Sequence, residues 1–231
     1  MNTKPLLTLV IAVAIFGSLA TARHPQSSSV SAGTTHAPVF TSDGQLQLPA
    51  NYREWVYLTT GFDMSYSAQQ NADHHMFDNV FVNPEAYQFF VKNGTWPDKT
   101  MIVLEVRGAK SKGSINQAGN FQDSDIMGLE VHIKDTSRFK NQGNWAFFGF
   151  DGEAVPAPGA DPYANNSAAK TSASTTSKMT PVTANCYSCH AQHAAVDTTF
   201  VQFYPTLLPI AKTHSTLSPA YVKDPTTPTE K

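Results

Sequence analysis

Apolar and polar residues alternate along the middle of the chain. Segments 100–106, 126–134 and 144–150 each place apolar side chains on every second position or in a short apolar run, as strands with a buried face do. The stretches between them are short and loop-like, which favours antiparallel pairing over βαβ crossovers. The pattern therefore predicts an α+β fold built mainly on an antiparallel sheet with a few short helices.

Shorter elements come before this sheet. Residues 51–60 predict a helical turn that runs into a strand, and residues 77–83 predict a strand that Pro84 ends. Residues 85–92 predict a short helix, because apolar side chains recur at helical spacing and an Asn-Gly pair follows. Residues 108–119 hold lysines and glycines and predict a loop.

The pattern changes after residue 153. Residues 154–180 are dominated by Ala, Pro, Ser, Thr and Asn, which predicts a low-complexity excursion and not a part of the core. Residues 197–212 place aromatic and leucine side chains at helical spacing and predict a C-terminal helix, although Pro205 restricts where it begins. The Pro- and Thr-rich residues 213–231 predict a disordered tail.

Residues 1–22 have the features of a secretory signal peptide. Lys4 supplies a positive charge, an apolar run follows, and an Ala-Thr-Ala cleavage sequence ends at Ala22. The run is too short to span a bilayer, and an uncleaved anchor is the alternative. We expect cleavage after Ala22, export to the periplasm, a disordered leader over 23–45 and a folded domain over 46–212.

The only two cysteines lie in the pentad Cys186-Tyr187-Ser188-Cys189-His190. C-x-x-C-H is the attachment sequence for c-type haem, in which both thiols bond to the porphyrin and the histidine binds the iron. The alternatives are a redox dithiol, a zinc half-site or a chance pair. A redox pair usually lies early in a thioredoxin-like unit, and a zinc site needs two further ligands, of which His193 could supply one. The sequence therefore predicts one covalent haem c, with His190 as the metal ligand.

Charge and composition limit the partners. The formal net charge is −2 and no basic run occurs, which argues against nucleic acid and, after signal cleavage, against a membrane as a partner. Phenylalanine dominates an aromatic content of 11%. Such a composition suits a core around a flat apolar cofactor, and it equally suits any β-rich core.

Five short motifs occur in order around the pentad, and together they resemble one family. They are NYREWV at 51–56, VFVNPEAY at 80–87, GLE at 128–130, GNWAFF at 143–148 and FYPTL at 203–207. With a late C-x-x-C-H in a β-rich chain, they are similar to the cytochrome P460 family, which includes the β-sheet cytochromes c′. The resemblance covers roughly residues 46–212. It implies a sheet-based haem domain, often dimeric, with His190 proximal and the distal iron face vacant or lightly ligated.

One departure from the family concerns Leu104. In the members that oxidise hydroxylamine, the matching strand position is a lysine bonded to the porphyrin edge, and a leucine cannot form that bond. Lys110 and Lys112 lie in the following segment and could in principle reach the haem, although a loop amine is a poor substitute for one fixed on a strand. The resemblance therefore favours the cytochrome c′-beta branch, which lacks the cross-link and binds nitric oxide.

Further residues are candidates for the distal side of the haem. Phe77, Phe81 and Phe121 are candidates for an apolar distal cap, and ordinary core packing is the alternative for each. Glu130 resembles a distal acid of the catalytic members and would accept a proton from a nitrogen substrate. A solvated or salt-bridged glutamate on the polar face of its strand is the alternative.

Other side chains could complete the iron coordination or hold the haem. His74, His75 and His132 are candidates for a sixth ligand, as are several methionines, although lone histidines are more often surface or satisfied core residues. Arg53 and Arg107 could pair with haem propionates. By default they would instead pair with nearby glutamates.

Three functions follow from these expectations. The first is a periplasmic cytochrome with five-coordinate iron that binds nitric oxide or a similar small ligand. The second is an enzyme that oxidises hydroxylamine or reduces peroxide. The third is a six-coordinate electron carrier with a small redox protein as partner.

Overall fold

The computed structural model describes residues 36–49, 51–65, 75–151, 175–181 and 184–224. Predictions for the signal peptide, for most of the leader and for residues 154–174 lie outside these ranges, as does His74. No helix in the described part of the chain is long and apolar enough to cross a membrane.

The central element is a five-stranded antiparallel sheet with neighbouring strands in sequence order. Its strands are β2 (Val56–Phe62), β3 (Met76–Val82), β4 (Met101–Lys110), β5 (Phe121–Lys134) and β6 (Trp145–Asp151). A second, two-stranded sheet pairs β1 (Leu46–Gln47) with β7 (Thr176–Ser177).

Short helices complete the fold. They are α1 (Pro84–Asn93), α2 (Asn185–His193), α3 (Leu208–Thr213) and α4 (Pro219–Lys223), with 3₁₀ turns at Tyr52–Glu54, Lys140–Gln142 and Val201–Phe203. The predicted α+β class with a mainly antiparallel sheet is confirmed. Helix α1 begins at Pro84, which suits a first helical position, and ends at Gly94, whose φ of 69° gives the left-handed cap that glycine tolerates.

The two faces of the sheet pack against different parts of the chain, because side chains alternate between faces along each strand. One face buries Val103, Leu129 and Phe148 against Tyr52 and Trp55. On the other face, one end of the sheet is covered by α1 and by the C-terminal segment; its buried residues include Ile102, Trp145, Phe90, Val201 and Leu207. The rest of this second face forms the floor of a cleft, and we call it the cleft face.

The hairpin between β4 and β5 is longer than the sequence predicts. Strand β4 continues to Lys110 and β5 begins at Phe121, so part of the predicted loop 108–119 is strand. Register shifts at Arg107 interrupt the ladder. Bulges of this kind weaken the period-two signal from which a strand is recognised.

The predicted helix over 197–212 is present only in its second part. Asp197 and Thr198 adopt left-handed φ angles of 51° and 60°, a 3₁₀ turn follows, and α3 begins at Leu208. Pro205 explains the interruption, since it lacks an N–H and disfavours helical geometry in the residue before it.

The ordered structure extends beyond the predicted domain boundaries on both sides. Phe40, in the predicted leader, packs edge-on against Phe139 and Phe148. In the predicted tail, α4 buries Tyr221. In each of these polar segments, one aromatic side chain packs onto the fold. The composition of the segments did not reveal these contacts.

Candidate functional site

Helix α2 carries the whole pentad. Cys186, Cys189 and His190 stand at i, i+3 and i+4, so one side of the helix presents all three. Both thiols are free: Cys186 is exposed and Cys189 is half-buried. In the part of the chain that the structure describes, no group of three or more His, Cys, Asp or Glu side chains could hold a metal ion.

His190 is oriented by a backbone carbonyl. Its Nδ1 lies 2.8 Å from the carbonyl oxygen of Thr198, and since a carbonyl only accepts, Nδ1 donates and Nε2 keeps its lone pair. Burial lowers the pKa of His190, which favours the neutral imidazole. A neutral histidine whose second nitrogen is hydrogen-bonded to a carbonyl is the usual form of a metal ligand.

The turn that supplies this carbonyl is held by the sheet. Lys134, at the end of β5, places its Nζ 2.6 Å from the Oδ2 of Asp197 and 2.8 Å from the carbonyl oxygen of Trp96. Thr198 follows Asp197 in the left-handed region, where a β-branched residue is strained. Strain that the surroundings maintain is typical of functional sites, and here it directs a carbonyl at His190.

Aromatic rings surround His190. The ring centroids of Phe200, Phe147 and His132 lie 4.1, 4.7 and 5.2 Å from its own. The imidazole is therefore held at the wall of the cleft by flat apolar groups.

Two cavities meet at His190, Glu130 and Phe147. One, of about 640 Å³, lies between α2 and β6 and is lined by both cysteines. The other, of about 340 Å³, lies over the cleft face of the sheet. Thiols, imidazole nitrogen and a largely apolar space thus adjoin, as a flat cofactor bonded to the pentad requires.

Leu104 and Glu130 are directly opposite each other on β4 and β5, and both line the smaller cavity. Burial raises the pKa of the Glu130 carboxyl. The structure therefore brings two of the sequence-predicted site residues into the same cleft as His190.

Asp78 is a cleft residue that sequence reasoning missed. It lines the smaller cavity from β3, and burial, followed by the charges of Glu130 and Asp63, raises its pKa. The signal was the alternation in β3, which places Met76, Asp78 and Val80 on the cleft face.

His132 lies beside His190 with an unsatisfied nitrogen. Its ring stacks on Phe147 at 4.0 Å and contacts Trp145 at 4.4 Å, and it is 8% exposed. Its Nε2 has no hydrogen-bond partner among the described residues. Burial, and then the proximity of His190, lower its pKa well below the usual value. A buried polar atom without a partner, in a residue that lines a cavity, is compatible with a site that receives a polar group.

The structure does not bring the three predicted phenylalanines to the cleft. Phe77 and Phe81 point to the opposite face of β3, where Phe77 packs on Phe62 at 4.8 Å and Phe81 on Tyr52 at 5.8 Å. Phe121 lies at the far end of β5 and is 39% exposed. Side chains alternate between the two faces of β3. Met76 and Asp78 face the cleft, so Phe77 between them faces the other side of the sheet.

The cationic candidates also lie outside the cleft. Arg53 and Arg107 both pair with Glu105 on the opposite face of the sheet, which was their default assignment. Lys110 pairs with Asp123 at 2.5 Å, and Lys112 is exposed in the hairpin loop. His75 pairs with Asp63 at 2.6 Å.

Comparison with known proteins gives one match. A search of curated proteins found none. A family model described as Cytochrome P460 matches residues 49–201, about two thirds of the chain. The matched segment includes all five strands of the main sheet and the pentad on α2.

Proposed function

We propose that this chain, which belongs to the cytochrome P460 family of c-type haem cytochromes, holds one haem c and binds nitric oxide or a similarly small ligand at an open iron position. The observation that carries the proposal is the hydrogen bond from His190 Nδ1 to the carbonyl of Thr198, at the wall of the cleft. It leaves Nε2 with a free lone pair, and this nitrogen would bind the haem iron. A haem iron held by one protein nitrogen supplies an open position for a diatomic ligand.

The thiols would tether the group. Cys186 and Cys189 lie on the side of α2 that lines the larger cavity, and neither is consumed by a disulfide. We propose that both form thioethers with the porphyrin. Maturation of this kind takes place after export in bacteria, so the proposal includes cleavage after Ala22 and a periplasmic location.

Leu104 favours ligand binding over the cross-linked chemistry of the hydroxylamine-oxidising members. It occupies the cleft floor between Val80 and Glu130, which is where a lysine amine would be needed. Its side chain is apolar and offers no nucleophile.

Glu130 supports a second candidate function, the oxidation of a nitrogen substrate that carries N–H groups. Such oxidation requires removal of protons near the iron. A carboxyl whose pKa is raised by burial is a suitable acceptor at neutral pH. Turnover of hydroxylamine with an electron acceptor would identify this function.

An absorption spectrum of protein matured in a host that makes c-type cytochromes tests the proposal. We expect a high-spin ferric spectrum, a five-coordinate ferrous form and a new spectrum when nitric oxide is added. Colourless protein would refute haem attachment. A low-spin spectrum in both oxidation states would leave the haem in place and refute the open iron position.

A further inference from the structure

We propose that Asp78 and Glu130 act together as a charge filter that makes the cleft select against anionic ligands. The inference rests on the proposed function, since it takes an iron held by His190 as the point of binding. It concerns which small ligands reach that iron, and it assigns Asp78 a role in that selection.

The two carboxyls share one cavity. Asp78 lies opposite Val106 on β3, and Glu130 lies opposite Leu104 on β5. Leu104 and Val106 are two residues apart on β4, so they point to the same face and separate the acids with an apolar strip. His190 lines the same cavity. The two carboxyls therefore lie on either side of an apolar floor, in the cavity that His190 also lines.

No cationic side chain offsets these acids. Among the described residues that line either cavity, none is a lysine or an arginine. Lys134, on the same face of β5, is paired with Asp197.

His132 is a buried residue in the wall of this cavity, and one of its ring nitrogens has no partner among the described residues. This ring is more than nine-tenths buried, lines the cavity that contains both carboxyls, and has no partner for Nε2 among the described residues. A buried polar atom of this kind usually finds a partner in a ligand or an ordered water. Asp78 is half-buried in this space, and Glu130 is exposed at the point where the two cavities meet.

The acids already oppose each other electrostatically. After burial, the charge of Glu130 is the main cause that raises the pKa of Asp78. A third negative charge in the same space would add to this repulsion, whereas a neutral ligand would not. In a partly solvated site with an effective dielectric constant of about 30, a charge about 8 Å away changes the affinity for an anion by roughly tenfold.

Azide and carbon monoxide are the probes that test the filter, the first an anion for the ferric protein and the second a neutral ligand for the ferrous protein. We expect the ratio of azide to carbon monoxide affinity to rise about tenfold in Asp78→Asn and in Glu130→Gln. This ratio should be higher in the double variant than in either single variant. Titrations followed by absorption spectroscopy at low ionic strength give both affinities, since salt screens such effects.

Glu54→Gln is the matched control, because it makes the same kind of change at an exposed acid on the turn before β2, away from the cleft. The ratio of azide to carbon monoxide affinity in this variant should equal that of the wild type. An unchanged ratio in Asp78→Asn and Glu130→Gln, with carbon monoxide still bound, would overturn the filter alone. Wild-type iron that takes up neither ligand would overturn the open iron position, and the filter with it.

Discussion

Leu104 and Glu130 face each other across β4 and β5, and they give the cleft floor two different characters. Leucine is inert and apolar, whereas the glutamate carries a carboxyl whose pKa is raised by burial. At this scale a single side chain decides which chemistry the cleft supports. The sequence identified both residues through the resemblance, but no motif marks Asp78. Alternation puts Asp78 on the same face of β3 as Val80, and the observed register brings that face beside Leu104 and Glu130.

Leu104→Lys tests the alignment of β4 with the cross-linking strand of the hydroxylamine-oxidising members. The cleft is open above residue 104, so we expect the lysine to fit and to place its amine beside the haem edge. By analogy with those members, the ferrous Soret band should move far to the red. Mass spectrometry of haem peptides would show a third covalent link.

Met127→Lys is the control for this substitution. Met127 is 53% exposed, lies next to Gly128 on β5, and is not among the residues that line either cavity. A lysine at position 127 should leave the ferrous absorption spectrum unchanged. A Leu104→Lys protein that folds, binds haem and keeps the wild-type band would show that β4 is aligned differently.

At the scale of elements, α2 depends on segments that follow it. Ser218 donates its backbone N–H to the carbonyl of Ala195 at 2.7 Å, and its hydroxyl donates to the carbonyl of Ala194 at 2.6 Å. His193 and Asp224 pair at 2.7 Å. We call residues 216–224 the C-terminal clamp. The sequence predicted disorder here. Helix α4 has only five residues among many Pro and Thr, which is too few for a helical periodicity to be recognised.

Tyr221→Ala should release this clamp. Tyr221 is 8% exposed, and removal of a buried aromatic ring costs about 3 kcal/mol of unfolding free energy. We expect that loss in urea unfolding, together with faster hydrogen exchange at the amides of residues 194–196.

Val222→Ala provides the comparison, since Val222 is on the same helix and is 63% exposed. It should change the unfolding free energy by less than about 0.5 kcal/mol. Equal stability of the two variants would mean that the clamp does not hold α2.

At the scale of the whole molecule, one sheet separates a structural core from a functional cleft. Alternation in the sequence predicted the strands and the α+β class. It could not predict which face was which, because both faces carry apolar residues. Phe77 and Val80, three residues apart on β3, point in opposite directions. Tertiary contacts distinguish the two faces. Tyr52 and Trp55 cover one face, and the C-terminal segment partly covers the other.

Glu105 links the core side of the sheet to the turn before β2. Burial alone would raise its pKa, but hydrogen bonds from Arg107 and Tyr52 and the charge of Arg53 outweigh burial and lower it below the ordinary 4.5. An acid with a lowered pKa stabilises the fold above its unfolded pKa, and this contribution is lost as the pH falls through the folded value.

Glu105→Gln should therefore destabilise the protein by about 2–3 kcal/mol at pH 7, and the difference from wild type should shrink below about pH 4.5. Urea unfolding at pH 7 and pH 3.5 measures both values, and Glu54→Gln again serves as the control. A difference that stayed constant with pH would show that the ionised form of Glu105 is not what stabilises the fold.

The C-terminal clamp also implies an order of events during biogenesis. The hydroxyl of Thr216 reaches the carbonyl of Gly94 across 122 residues of sequence. Contacts over such separations form late, because they close long loops against chain entropy. If haem is attached as we propose, the pentad helix would therefore still be unlocked when its thiols react, and those thiols would stay accessible until the C-terminal clamp docks.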